Sequence, residues 1–224
     1  MADRSSLARI LDEVAAGHFP VADGAVRLLP QPDDRTAAVL AFTAHSVIVA
    51  DVDEGWVREQ LAPDDLSASL SAPFVTALAE RTRRRVGVID LVAVADPLDA
   101  EGAELAGIAE LGLAVVADTD HPRVSRARRY RDEVTVWAVG GGSADAVLTL
   151  GRGLAGRLEA SVEVAPALRG RGLGRSLALA ARAYAEEPVW AQIAPGNAAS
   201  VRAFLAAGFR PVGAETLLVR HTQA

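Results

Sequence analysis

The residues best suited to chemistry lie between Ser161 and Ala185, in the run SVEVAPALRGRGLGRSLALAARAYA. An apolar strand-like segment, Ser161 to Ala165, stops at Pro166. Ala167 to Gly172 then supplies glycines and arginines, and a helix pattern begins near Leu173 with Leu177, Ala181 and Tyr184 on the same side. The first N–H groups of a helix lack intrahelical partners and sit at the positive end of its dipole. Gly170, Gly172 and Gly174 carry no Cβ, so an oxyanion can approach the backbone, and Arg169, Arg171 and Arg175 add positive charge to the rim. The ligand group that suits such a turn is a phosphate or diphosphate.

Two common phosphate motifs do not fit. Gly170-Arg-Gly-Leu-Gly174-Arg-Ser lacks the glycine spacing and the lysine of a P-loop. It also departs from the G-x-G-x-x-G dinucleotide fingerprint, and the next strand, VWAQIAP, ends without the acidic ribose anchor. A second stretch, Val189 to Gly213, narrows the choice. A strand over Val189 to Ile193 breaks at Pro195-Gly196, Asn197 is placed to cap a helix running to about Ala207, and Gly208 suits that helix's C′ position.

Together these segments resemble the GNAT acetyltransferase superfamily. Arg169-Gly170-Arg171-Gly172-Leu173-Gly174 matches its [RQ]-x-x-G-x-[GA] motif, and Asn197 through Phe209 matches its Asn-capped helix ending in Gly-Phe. The resemblance extends over roughly residues 132–220. It implies that the diphosphate of acetyl-CoA, the cosubstrate, lies on Arg169 through Arg175 (Arg169, Gly170, Arg171, Gly172, Leu173, Gly174, Arg175). It implies that the pantetheine arm pairs with the backbone of Val162 and Val164, between splayed strands at 158–165 and 189–193, and contacts Asn197. Ser200 and Arg202 are within reach of the coenzyme on this reading. Phe204 stands in the cofactor site where many members carry a tyrosine acid, so Ser200, another tyrosine or water has to protonate the thiolate. Glu159 and Glu163, on one face of the strand by alternation, are the candidate bases, giving Glu159, Glu163 and Ser200 as the catalytic set. The implied activity is N-acetyl transfer to a primary amine by direct attack, with a non-catalytic acyl-CoA-binding module as the alternative.

The elements that must position these residues belong to an α/β (α+β) chain. The expected order from 113 onward is strand, helix, three strands, helix, strand, helix, strand: a mixed sheet flanked by helices. Before it, a helix over 5–16 (Leu7, Ile10, Leu11 and Val14 on one face), strands within Thr36 to Val52, helices after Asp53 and Pro73, and a doubly buried strand over 86–95 indicate a smaller α/β domain. The weak Ala, Gly and acidic stretch Asp96 to Gly112 places the boundary at 110/111, giving domains 1–110 and 111–224, the first of unknown role, with a degenerate acyltransferase-like half and an acceptor-binding domain as the alternatives.

Composition sets limits on function. Half of the 224 residues are apolar and only 4% aromatic, so the core is built from Ala, Val and Leu. A net charge of -6 argues against a nucleic-acid partner, and the arginine clusters at 81–85 and 123–131 read as solvated helix faces. With no cysteine and four scattered histidines (His18, His45, His121, His221), no metal, disulfide or thiol nucleophile is expected. No apolar run is long enough to span a bilayer and the N-terminus lacks signal-peptide character, so a cytoplasmic protein is expected, with a small-molecule or protein amine as partner, no membrane association, and homodimerisation left open.

Overall fold

The computed structural model describes residues 6–117, 120–140 and 145–220, and the chain divides into two compact units. The first comprises Met1–Val92 with Val212–Ala224, the second Ala93–Pro211. The division falls inside a strand, and position 110/111 lies within the second unit. Parts of four expected features, at Ser5, Asp118, Gly141–Gly142 and His221, lie outside the described residues.

In the first unit, α1 (Ser6–Ala15) buries Leu7, Ile10, Leu11 and Val14, the stripe expected from their spacing. Next come β1 (Val26–Leu29), β2 (Thr36–Phe42) and β3 (His45–Val49). β2 and β3 form an antiparallel hairpin, whereas β1 pairs parallel with β3. The segment over 21–35 reads as turn-rich from its prolines and aspartates, yet Val26–Leu29 is a strand, because its pairing partner is distant in sequence. Asp53 and Ser71 cap α2 (Glu54–Gln60) and α3 (Ala72–Thr82), accepting from the N–H groups of Trp56 and Phe74. The sheet of this unit runs β1-β3-β2-β10-β4, where β4 is Arg84–Ala95 and β10 is Arg210–Arg220. Phe74, Leu78, Val39, Ile48 and Leu218 form its core.

β4 departs from the expected two-sided burial. Within the 86–95 run only Val92 through Ala95 are sealed, while Val88 is 55% exposed. A continuous apolar run states how apolar a strand is, not how far its cover extends.

In the second unit the order is β5-β6-β7-β8-β9, formed by β5 (Leu113–Val115), β6 (Asp132–Val139), β7 (Ala146–Arg152), β8 (Leu158–Val164) and β9 (Val189–Ile193). On the other side of β9 the order continues with β4, whose end, Ala93–Ala95, belongs to this unit. β5 to β8 are antiparallel, and β8 and β9 are parallel. Among the described residues, four α-helices flank this mixed sheet: α4 (Ala100–Leu105), α5 (Pro122–Tyr130), α6 (Leu173–Ala183) and α7 (Ala198–Ala206). One face, with Leu148, Leu150 and Ala160, packs on Leu177, Ala178 and Ala181 of α6 and Phe204 of α7. On the other, Val136, Ala138 and Val147 meet Val124 of α5. The small side chains of α6 let it lie close against the sheet. No helix among the described residues is long and apolar enough to cross a membrane.

Candidate functional site

Three local features build the site. The first is the parting of two parallel strands. β8 and β9 are paired at Leu158↔Val189 and Glu159↔Trp190, and there the register ends, although β8 runs on to Val164 and β9 to Ile193. The second is the turn into α6. Gly170 and Gly172 have φ of 76° and 84°, left-handed conformations that an L side chain adopts only with strain, and a Cβ on either would stand in open space. Gly174 is different: a Cβ there would make an ordinary 3.5 Å contact with Ala203, so it sets helix packing more than turn geometry. Gly172 is the N-cap without a capping side chain, so the amides that open α6 keep their capacity for an external acceptor. The third is the start of α7, where Asn197 Oδ1 accepts from the N–H of Ser200 at 3.1 Å, the cap expected from sequence.

These features line one cavity of about 490 Å³. It gathers Val162, Glu163, Val164, Arg169, Gly170, Gly172, Leu173, Gly174, Arg175, Asn197, Ser200 and Arg202, each singled out from sequence, together with Leu168, Ala199, Ala203 and a charged residue not expected there, Arg123. Arg169 Nε donates to the carbonyl of Val164 at 2.9 Å, tying the loop back to the strand end. Arg171 is not part of the lining; it is exposed on the turn.

Two expected site residues lie elsewhere. Phe204 is 4% exposed and packs edge-on against Phe209, with ring centroids 4.9 Å apart, so it is a core residue rather than a coenzyme contact. Glu159 does share a face of β8 with Glu163, but it is 3% exposed and fully engaged. Its carboxylate accepts from Arg131 Nε (2.8 Å), Arg157 Nε (2.8 Å), Gln192 Nε2 (3.1 Å) and the Leu154 N–H (3.3 Å). A Cβ on Gly153 would collide with that carboxylate, so the turn between β7 and β8 is shaped around it. Burial works to raise the Glu159 pKa, but the charges and hydrogen bonds of Arg157 and Arg131 outweigh it and hold the pKa below the ordinary 4.5. A carboxylate so stabilised and sealed is a structural ion, not a base. Glu163 is the carboxylate at the cavity wall, 37% exposed in its side chain and bonded by Arg123 Nε at 3.0 Å.

The arrangement can hold an extended anionic ligand: a polyphosphate on the amides and arginines at the head of α6, and a narrower arm along the free edge of β8. Both tyrosines of the chain lie away from it. Tyr184 stacks on Trp137 beyond the far end of α6, with its pKa raised by burial, and Tyr130 ends α5 under Arg126. Ser200 is therefore the hydroxyl at this cavity carried over from the sequence reading. Among the described residues no group of His, Asp and Glu side chains could hold a metal ion.

A sequence profile of the acetyltransferase (GNAT) family matches residues 138–209. This segment is a GNAT acetyltransferase domain. It contains the parting strands, the glycine turn and the start of α7, and thus most of the cavity wall, while Arg123 lies outside it. No curated protein matches the sequence. Among solved structures, a GCN5-related N-acetyltransferase from Kribbella flavida is 15% identical (67% of this chain and 65% of that one; TM-score 0.40). A putative GNAT acetyltransferase from Novosphingobium aromaticivorans is 20% identical (62% and 68%; TM-score 0.38). A functionally unknown conserved protein from Staphylococcus epidermidis is 12% identical (68% and 68%; TM-score 0.41). The chain thus spans just under two thirds of the length of the first of these.

Proposed function

We propose that the protein is an acetyl-CoA-dependent N-acetyltransferase acting on a primary amine. The observation that carries this reading is the coincidence, in one cavity, of the parted β8 and β9 strands with the left-handed glycine turn and the uncapped start of α6. The coenzyme diphosphate is assigned to the amides of Leu173, Gly174 and Arg175 and the side chains of Arg169 and Arg175, with Arg202 at the rim. Backbone groups of Val162 and Val164 align the arm as an added strand would. When bound, the thioester supplies an activated acyl carbon. The chain supplies a carboxylate, Glu163, that takes the amine proton directly or through water, and a hydroxyl, Ser200, that can donate to the departing sulfur. Turnover is expected in the cytoplasm, on a small-molecule or protein amine.

Calorimetry with coenzyme A, ATP and an oligonucleotide tests the binding half of this proposal, and preference for either of the latter two would overturn it. A thiol-release assay over a panel of amines tests the catalytic half. Ser200→Ala is expected to lower kcat about 10- to 100-fold with little change in coenzyme A affinity, at the lower end of general-acid effects; unchanged kcat would remove Ser200 from the mechanism. One observation favours a second reading, a non-catalytic acyl-CoA-binding module: neither tyrosine lines the cavity. Tight coenzyme A binding without turnover of any amine would support it.

A further inference from the structure

The geometry points to Arg123 as a positioning residue: reaching from the first turn of α5, it holds the Glu163 carboxylate in place at the cavity wall. The proposal rests on the transferase reading for its kinetic consequence but not for the interaction itself. β8 presents a row of polar side chains to α5. Glu159, Ser161 and Glu163 share that face, and α5 and its C-cap answer with two arginines. Arg131 Nε meets Glu159, Arg131 Nη1 donates to Ser161 at 2.7 Å, and Arg123 Nε meets Glu163 at 3.0 Å. The two ion pairs have the same construction and opposite settings. The Arg131–Glu159 side chains are 9% and 4% exposed, sealed inside the unit, whereas the Arg123–Glu163 side chains are 36% and 37% exposed and both line the cavity. The first pair can only be structural. The second is open to a ligand and to water.

Arg123 is also distinct among the arginines of its helix. Arg128 Nη2 donates to the Ala117 carbonyl, Arg126 lies over the Tyr130 ring, and Arg129 is exposed. Arg123 alone of these lines the cavity, and it does so from the helix N-terminus, where the dipole disfavours a cation. The groups around Glu163 can be named element by element. Its register partner on β7 is Val147, which does not titrate. From the loop, α6 and α7 come Arg169, Arg175 and Arg202, all cations. At the cap of α5, His121 Nδ1 accepts from the Arg123 N–H. A guanidinium at hydrogen-bond distance fixes the direction of the carboxylate's lone pairs.

The test uses the full chain with Arg123→Gln, Arg123→Lys, Glu163→Gln and the Arg123→Gln/Glu163→Gln double variant. Arg123→Gln is expected to lower kcat about tenfold with KM little changed, as a misplaced reacting group would. Arg123→Lys should recover part of that loss, and the double variant should be no slower than Glu163→Gln. The Arg123 Nε–H NMR signal should move when Glu163→Gln removes the charged acceptor. A kcat unchanged in Arg123→Gln overturns the proposal, as do losses that add in the double variant or an Nε–H signal that does not move. Coenzyme A calorimetry on the unaltered chain separates the failures. Absence of binding defeats the transferase reading, while the Nε–H signal still judges Arg123.

Discussion

Replacing Glu159 by alanine is expected to lower the free energy of unfolding by about 3–5 kcal/mol, the range for breaking a buried ion pair from one side. The substitution would leave the guanidinium groups of Arg131 and Arg157 without the carboxylate between them, and strip an acceptor from Gln192 Nε2 and the Leu154 N–H. Arg157, over the Trp190 ring at 5.3 Å, is itself almost wholly buried and cannot turn to solvent. Denaturant titration measures the loss directly; a change under about 1 kcal/mol, the range of an exposed pair, would show that water reaches the cluster. The same residue sets a pH dependence. Its folded-state pKa lies below the ordinary 4.5, so the stability it contributes is fully present above that value and is lost as pH falls through the lower folded value. Acid unfolding of Glu159→Gln should accordingly be less steep below about pH 4.5 than that of the parent chain.

Gly172→Val is expected to weaken coenzyme A binding about 100-fold or more while costing only about 1–3 kcal/mol of stability, the scale of one strained backbone position. Gly172 has φ of 84°, and nothing stands within 4 Å of the place its Cβ would occupy. The new side chain would therefore project into open space at the head of α6, where the diphosphate is assigned. Loss of one or two charge-assisted amide contacts, each about 1.5–3 kcal/mol, accounts for the predicted drop. Gly174→Ala, whose added methyl would make only an ordinary contact, is the control and should bind within a few fold of the parent. Calorimetry with coenzyme A distinguishes the two variants, and equal affinities would separate the turn from the ligand.

Much of the site was legible because it depends on local rules. The Asn197 cap, the glycine turn, the strand before it and the helix after it are each specified within a few residues, and the structure gathers them around one cavity. The two glutamates could not be ranked in the same way. Alternation put Glu159 and Glu163 on one face, but which of them is sealed depends on Arg131, Arg157 and Gln192, brought in from other segments. Phe204 likewise took its role from Phe209 and the core rather than from its position in the motif. Arg123 was obscured by its neighbours, since five arginines between 123 and 131 read as a solvated face. The usable signal was a cation in the first turn of a helix, against the dipole. In the first unit, α4's counterpart in difficulty is β1: four residues pairing parallel with a strand about twenty positions away leave no local trace. α4 itself, in the second unit, buries none of its residues deeply and so shows no apolar stripe to read.

The path of the chain has a consequence for synthesis on the ribosome. β10 lies between β2 and β4 in the strand order of the first unit, pairing Ala214 through Val219 with β2, yet its residues come after the whole of the second unit has been translated. The leading portion of the polypeptide therefore emerges with a gap at an interior position of its sheet and waits, with β2 and β4 unbridged, until the final strand leaves the exit tunnel. Expression of residues 1–92 alone should yield an insoluble product that a separately supplied 93–224 fragment can rescue.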